Sequence, residues 1–372
     1  MSNIVKNYFK VLEVISSLNY NSVSKSRVGR SSKMSDLEVI ALSLTAEFMS
    51  IDSENSLFKQ ISSGMIPNLI ERSQFNKRRR KLFLFSEEIR TKLANRFLEF
   101  ENYFIVDSMP LEICKFSRHR RIKICKDEFE TAPSKGFCAS QNSWFYGYKL
   151  HGVCSVSGVF HSLDITKAEV HDVHFLNNIK NQMSDCVILG DRGYLSQSVQ
   201  LDLFQTVKIK LETPKRINQK DYKPQPYIFR KSRKRIETLF SQLCDQFLIR
   251  RNYAKSFNGF KTRILAKITA MTLIQYINKF IFDRPINNIK KLALLQASFQ
   301  MLLDQNAKNL EINKLQLIQT DTEPVVQFWG FFFEYAYYKD HQNTEKATSL
   351  KNNLLNYQTL IPKGIWKSLA ID

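Results

Sequence analysis

Glycine and proline are scarce, at 11 and 9 residues in a chain of 372, less than half of their usual combined share of roughly 12%. That scarcity disfavours low-complexity linkers and turn-dense all-β architectures, and predicts a helix-rich protein. The six cysteines (Cys114, Cys125, Cys138, Cys154, Cys186 and Cys244) contain no C-x-x-C pair, and histidines such as His119 and His151 stand at no zinc-ligand spacing. They read as reduced thiols of a cytoplasmic protein. No uncharged apolar run reaches the roughly 18 residues of a membrane span, and the most aromatic stretch, Val325 to Tyr338, is broken by Glu334. Lys6, Lys10 and Glu13 leave no room for a secretory apolar core at the start of the chain. There is no G-x-G and no G-K-[ST], so neither a dinucleotide fingerprint nor a phosphate-cradling loop is present, and no nucleotide cofactor is expected.

Positive charge is what the chain has in excess. Lysine and arginine number 55 against 35 acids, a formal net charge of +20. A polyanionic partner fits that excess better than a small neutral metabolite does, and nucleic acid is the first to consider. The excess is uneven: residues 293–372 hold seven lysines, no arginine and eight acids, so all of it lies in residues 1–292.

Residues 1–98 read as helices joined by polar loops. Val5, Phe9, Leu12, Ile15 and Leu18 recur at amphipathic spacing, and Ser35 with Glu38 forms a capping box ahead of an apolar helix. Ser73 marks a third start, and the helix it would cap carries Lys77, Arg78, Arg79, Arg80 and Lys81. Five consecutive cations leave several facing outward whatever the packing. They form either a solvated face or a helix-turn-helix-like element on DNA phosphates, and the basic chain favours the second. From Tyr103 the period changes to strands: Tyr103 to Asp107, a hairpin from Phe145 to Ile165, Val187 to Asp191, and Val207 to Leu211. Asp172 is read as opening a short helix, and a long one begins near Ile228 with Ile236, Leu239, Phe240, Leu243 and Phe247 on one face.

Two of these apolar strands end in a carboxylate, Asp107 and Asp191, and a third acid, Glu237, borders the apolar stripe of the long helix. Three converging carboxylates have a physical use, because they can bridge two Mg²⁺ or Mn²⁺ ions about 3.5 to 4 Å apart for in-line displacement at phosphorus. Spacing alone is a weak signal in a chain with 35 acids.

The local context is more specific. Gly190-Asp191-Arg192-Gly193-Tyr194, Arg233 to Phe240, Ile105-Val106-Asp107-Ser108 and Tyr146 to His151, in that spacing and with a helical basic region before them, resemble the acid motifs of bacterial insertion-sequence transposases of the DDE type. The likeness is closest to the insertion-sequence family numbered 982 and covers about residues 1–292. It implies a ribonuclease H-like α/β core, a mixed sheet flanked by helices over residues 99–292, preceded by an all-α DNA-binding domain over 1–98 and followed by an extension of unknown role over 293–372. It further implies Asp107, Asp191 and Glu237 as catalytic metal ligands, two Mg²⁺ or Mn²⁺ ions per site, and cleavage and joining of double-stranded DNA at terminal inverted repeats and target. A homodimer or higher oligomer on DNA, in a bacterial cytoplasm at the nucleoid, goes with that picture. Related enzymes often carry a Tyr, Arg, Glu, Lys series around the third acid. Arg233 fits the Arg, but Arg230 and Cys244 stand where the Tyr and Lys would be.

Other residues carry two readings each. Lys149 and His151, two apart on one strand, would meet a phosphate or form a plain polar face. Arg192 is a phosphate contact or charge neutraliser, and Arg230, Arg233 and Lys234 are expected on DNA. His171 and His174, with Asp172 and Glu169 nearby, have the spacing of a metal pair, but helix capping by Asp172 and an ordinary polar surface explain the same residues and are preferred. Trp144, Phe145, Tyr146 and Tyr148 would stack on an unpaired base or pack as core. Two rival functions stand beside the transposase: a catalytically silent DNA-binding repressor, which the presence of all three acids argues against, and a nuclease on the same fold that hydrolyses without joining.

Overall fold

The computed structural model describes residues 3–18, 32–61, 66–98, 101–215, 222, 224, 226–289, 331, 332, 334, 335 and 344–357. The chain divides into two compact units, residues 1–293 and 294–372. The second contains a helix, Thr344–Leu355, with Ala347 and Leu354 buried. The apolar text from Leu294 to Leu303, and Phe328, Trp329, Gly330 and Phe333 of the aromatic cluster, lie outside the described residues.

The first unit opens with α1 (Asn3–Ser16), α2 (Asp36–Phe48), α3 (Glu54–Gln60), α4 (Arg72–Lys81) and α5 (Phe83–Asn95). The capping box forms as the sequence predicts: the Glu38 amide donates to Ser35 Oγ at 3.2 Å, and the Ser35 amide donates back to the Glu38 carboxylate. At α4 the expected cap is displaced, since Glu71 rather than Ser73 precedes the helix and no side chain caps it.

The sheet follows: β1 (Tyr103–Cys114), β2 (Ser134–Cys138), β3 (Ser143–Ser155), β4 (Phe160–Lys167), α6 (Phe175–Ile179), β5 (Val187–Leu189), α7 (Gln197–Val207), β6 (Lys210–Glu212), then α8 (Tyr227–Asp245) and α9 (Phe257–Tyr276). β1 pairs antiparallel with β3 on one edge and parallel with β5 on the other, and β6 continues parallel beyond β5. β4 and β2 share the far edge of β3, β4 along Tyr148 to Cys154 and β2 along Ser143 to Gly147. This is the expected mixed sheet flanked by helices. One face is sealed by α6 and α7 through Phe104, Val106, Val153, Phe175, Leu176, Ile188, Leu203 and Leu211. Toward the other, Phe240 of α8 meets Phe160 with ring centroids 5.8 Å apart. β1 runs seven residues beyond Asp107, and the expected strand from Val207 shrinks to three residues because Leu203 to Val207 complete α7. Among the described residues, no helix is long and apolar enough to cross a membrane.

The N-terminal helices pack against α9, and a buried ion cluster joins them. Glu47 of α2 lies 3.4 Å from Arg263 Nε and 3.7 Å from Arg79 of α4, and it accepts from Lys267 Nζ. Arg79 also pairs with Glu54 at 3.0 Å, while Lys267 Nζ donates to the Phe247 carbonyl at 2.6 Å. Burial holds the Arg79 and Lys267 pKa values below their ordinary ranges, with Glu54 and Glu47 opposing at Arg79 and Glu47 at Lys267. Removing one member of such a cluster leaves buried charge uncompensated, which costs roughly 3–5 kcal/mol. Glu47→Ala, which leaves three cations against Glu54 alone, should lose stability of that order in urea denaturation; a loss below about 1 kcal/mol would mean that water reaches the cluster.

Candidate active site

The first acid stands inside the central strand. Asp107 is opposite Gly152 of β3, and its Oδ1 accepts the Ser108 amide at 2.8 Å. The parallel ladder between β1 and β5 ends with Ile105 opposite Leu189. Asp107 and Asp191 each lie two residues further on, so adjacent strands, about 4.8 Å apart, deliver the two carboxylates side by side. Gly190 keeps Asp191 in line by donating its amide to the Glu212 carbonyl at 3.0 Å. Asp191 then caps a 3-10 turn, accepting the Gly193 amide at 2.7 Å. A Cβ at Gly193 would sit 3.0 Å from Asp191 Oδ1, tighter than side chains ordinarily pack, which accounts for a glycine here.

A third carboxylate joins this pair, and it is Asp172. Lys149 Nζ donates to Asp172 Oδ1 at 3.0 Å and to the Val170 carbonyl at 2.9 Å. Burial pushes the Asp107 carboxyl up to about 7; the charges of Asp191 and Asp172 add to the rise, and the Ser108 amide and Arg233 oppose it. Tyr194 is fully buried, and its phenol is raised by burial and by the charges of Asp172, Asp107 and Asp191. Glycine-bounded Asp191 and the following Tyr194 were visible in one motif, whereas nothing in the sequence singled Asp172 out as a neighbour of the acid pair.

Glu237 departs from the expected convergence. Ile236, Leu239, Phe240 and Leu243 are the buried stripe of α8, which turns Glu237 to an exposed flank. Arg233, one turn earlier, instead supplies charge to Asp107. Among the described residues, no three His, Cys, Asp or Glu side chains are gathered as metal ligands. Asp107 and Asp191 fit a hard divalent cation in part: both offer carboxylate oxygens, the ligands such ions take, and at Asp107 the charge of Arg233 offsets only part of the effect of burial and of the neighbouring acids. A cavity of about 550 Å³ opens beside Asp191, lined by Arg192, Lys215, Tyr222, Arg230 and Arg233 among others.

The remaining expected contacts separate. Arg192, Arg230 and Lys234 are exposed. Lys149 is committed to Asp172. His151 is fully buried, with Nε2 at 2.7 Å from Thr166 Oγ1 and its ring stacked on Phe175; burial lowers its pKa to about 4, so at neutral pH it is an uncharged core group, not a phosphate ligand. Within the run on α4, Lys77, Arg80 and Lys81 are exposed, but Arg79 belongs to the buried cluster and Arg78 bonds Asp36 at 2.6 Å and the Met34 carbonyl at 2.7 Å. His171 caps the turn at Asp172 through the Val173 amide at 3.3 Å. Of the four strand aromatics only Trp144 is exposed, against Phe137.

Residues 99–273, just under half of the chain, match the family model described as "Transposase DDE domain". This match supports a DDE transposase domain over those residues. No curated protein matches the chain. Among solved structures, "Mos1 transposase paired-end complex with left transposon end" is 11% identical, spans 71% of this chain and 85% of its own, and has a TM-score of 0.20, too low a likeness to build on.

An acid whose folded pKa exceeds its unfolded value keeps its proton longer when folded, so stability falls as pH rises from about 4 to about 7. Asp107→Asn removes the buried charge and should stabilise the protein at pH 8 by up to about 4 kcal/mol, a gain that vanishes near pH 4. Denaturation at the two pH values tests this, and equal stability of variant and wild type at pH 8 would show the carboxylate to be well solvated.

Proposed function

We propose that the chain is a DNA transposase of the insertion-sequence DDE type, nearest the family numbered 982, which binds the terminal inverted repeats of its element and cuts and joins DNA there. The observation that carries this reading is the lateral placement of Asp107 and Asp191 at one end of a parallel strand pair, inside the region that matches the DDE domain. Asp107 and Asp191 would hold Mg²⁺ or Mn²⁺, with Glu237 completing the set from α8 and two ions per site. The chemistry supplied there would be Lewis-acid activation of the attacking water or 3′-hydroxyl and charge stabilisation of the leaving oxygen.

The chain's own groups do the rest. The Ser108 and Gly193 amides orient one oxygen of each aspartate, and so leave the other free to turn toward a ligand. Arg192, Arg230 and Arg233, around the cavity beside Asp191, place positive charge where the phosphates flanking the scissile bond would lie. Lys149 holds Asp172 by an ion pair, restraining a third negative charge next to the pair. The substrate is double-stranded DNA, the working form a homodimer or larger assembly, and the compartment the bacterial cytoplasm at the nucleoid. A domain over 1–98 would dock the repeats, with 99–292 catalytic and 293–372 accessory.

Asp107→Asn, Asp191→Asn and Glu237→Gln should each abolish Mg²⁺-dependent cleavage of repeat-end DNA while changing DNA affinity less than about threefold, since each removes a metal ligand rather than a phosphate contact. Manganese binding followed by electron paramagnetic resonance should weaken in the same three variants. Full cleavage by Glu237→Gln alongside a dead Asp172→Asn would transfer the third ligand to Asp172; full cleavage by either Asp107→Asn or Asp191→Asn would end the DDE reading.

A further inference from the structure

The segment after β1 carries six exposed cations, Lys115, Arg118, Arg120, Arg121, Lys123 and Lys126, with no acid among residues 115–126. Among the described residues, none of the six lies within ion-pair distance of a carboxylate, although Asp127, Glu128 and Glu130 follow directly. The segment is nonetheless held in place. Phe116–Arg118 form a 3-10 turn, the His119 ring stacks on Phe116 at 4.9 Å, and Cys125 is buried with its amide donating to the Lys255 carbonyl at 2.7 Å. Like charges fixed in place without counter-charges repel one another, and an external polyanion relieves that repulsion.

The Lys255 bond brings a second basic stretch alongside, with Arg251 and Lys255 exposed and Tyr253 63% exposed between them. α9 starts at Phe257 just beyond. Tyr148, whose phenol interacts with Cys125, sits 5.1 Å from the rings of both Phe257 and Phe260. A Cβ at Gly259 would lie 3.9 Å from Arg80 Cδ, which adds the exposed Arg80 of α4 and its neighbours Lys77 and Lys81. Three segments far apart in sequence therefore meet around the start of α9.

We infer that these segments form one basic surface that grips the phosphate backbone of duplex DNA flanking the cleavage site. The inference rests on the proposed function for the identity of the polyanion. Cys114 stands seven residues beyond Asp107 along β1, about 23 Å at roughly 3.3 Å per residue, the length of some seven base pairs at about 3.4 Å each. At that distance the surface holds flanking duplex, not the scissile phosphodiester.

The test is the salt dependence of binding by the full-length chain to a 30-base-pair duplex of random sequence, followed by fluorescence anisotropy. Each lost phosphate contact removes about 0.9 from the log-log slope, so Arg118→Ala/Arg120→Ala/Arg121→Ala should flatten it by about 2 to 3 and weaken binding at least tenfold at physiological salt. Lys77→Ala/Arg80→Ala/Lys81→Ala should flatten it by a similar amount. The corresponding Arg-to-Lys triple at 118, 120 and 121 should restore the wild-type slope, because phosphate contact requires charge alone, whereas a structural defect would not be rescued. An unchanged slope in the alanine triple at 118, 120 and 121, with unchanged circular dichroism and melting, would overturn the surface while leaving the DNA-binding reading intact. A wild-type chain that fails to bind the duplex at any salt concentration would overturn both.

Discussion

The register of one parallel strand pair governs the rest of the molecule. Ile105 opposite Leu189 is the last rung between β1 and β5, and everything chemical begins two residues above it. A slip by one residue would turn Asp107 into the α6–α7 core and bring Val106 out of it. Placing a carboxylate in the central strand costs burial energy, and the high Asp107 pKa is the record of that cost. The Ser108 amide and Arg233 offset part of it, while Asp191 and Asp172 add to it. A site so arranged holds negative charge poorly by itself. Strain of this sort is where function and stability pull in opposite directions.

The sheet was readable because its signals are local. Apolar runs ending in acids, the hairpin and the Ser35–Glu38 box all lie within a few residues of themselves, and each appears in the structure. What escaped is what depends on distant partners. Asp107 looked like the end of a strand because a charged residue interrupts the apolar run, yet β1 continues through Pro110 to Cys114 since β3 supplies a partner along its whole length. Glu237 sits next to the right stripe, but a helix flank is decided by which side chains find apolar neighbours, and Ile236 and Phe240 take that side. Asp172 carries no motif at all; only the fold brings it to Lys149.

The same limit explains the basic residues. In sequence Lys77 to Lys81 is a uniform block. In the fold Arg79 is as buried as a core side chain because Glu47, 32 positions earlier, and Glu54 await it, and Arg78 turns to Asp36. His151 likewise shares a strand face with Lys149 but ends in contact with Phe175. The loop from Lys115 to Lys126 carries six cations, as many as α4, but Ile122, Ile124 and Cys125 dilute them along the chain, so no uniform block marks it.

Net charge therefore overstates the charge that a partner can meet, and it does so in a structured way. Arg79, Arg263 and Lys267 tie α2 and α4 to α9 through Glu47, and Arg90 is buried against the carbonyls of Phe160 and His161, tying α5 to β4. These cations spend their charge on joining helices to the sheet. The joining has a consequence for the cations left outside: α4 and the start of α9 are fixed relative to each other, so Arg80, Lys255 and the loop that Cys125 anchors keep constant spacing. A polyelectrolyte with charges at regular intervals rewards such rigidity, because no side of the surface must be ordered at the moment of binding. Among the described residues, the four buried lysine and arginine side chains, Arg79, Arg90, Arg263 and Lys267, determine where the exposed ones can act.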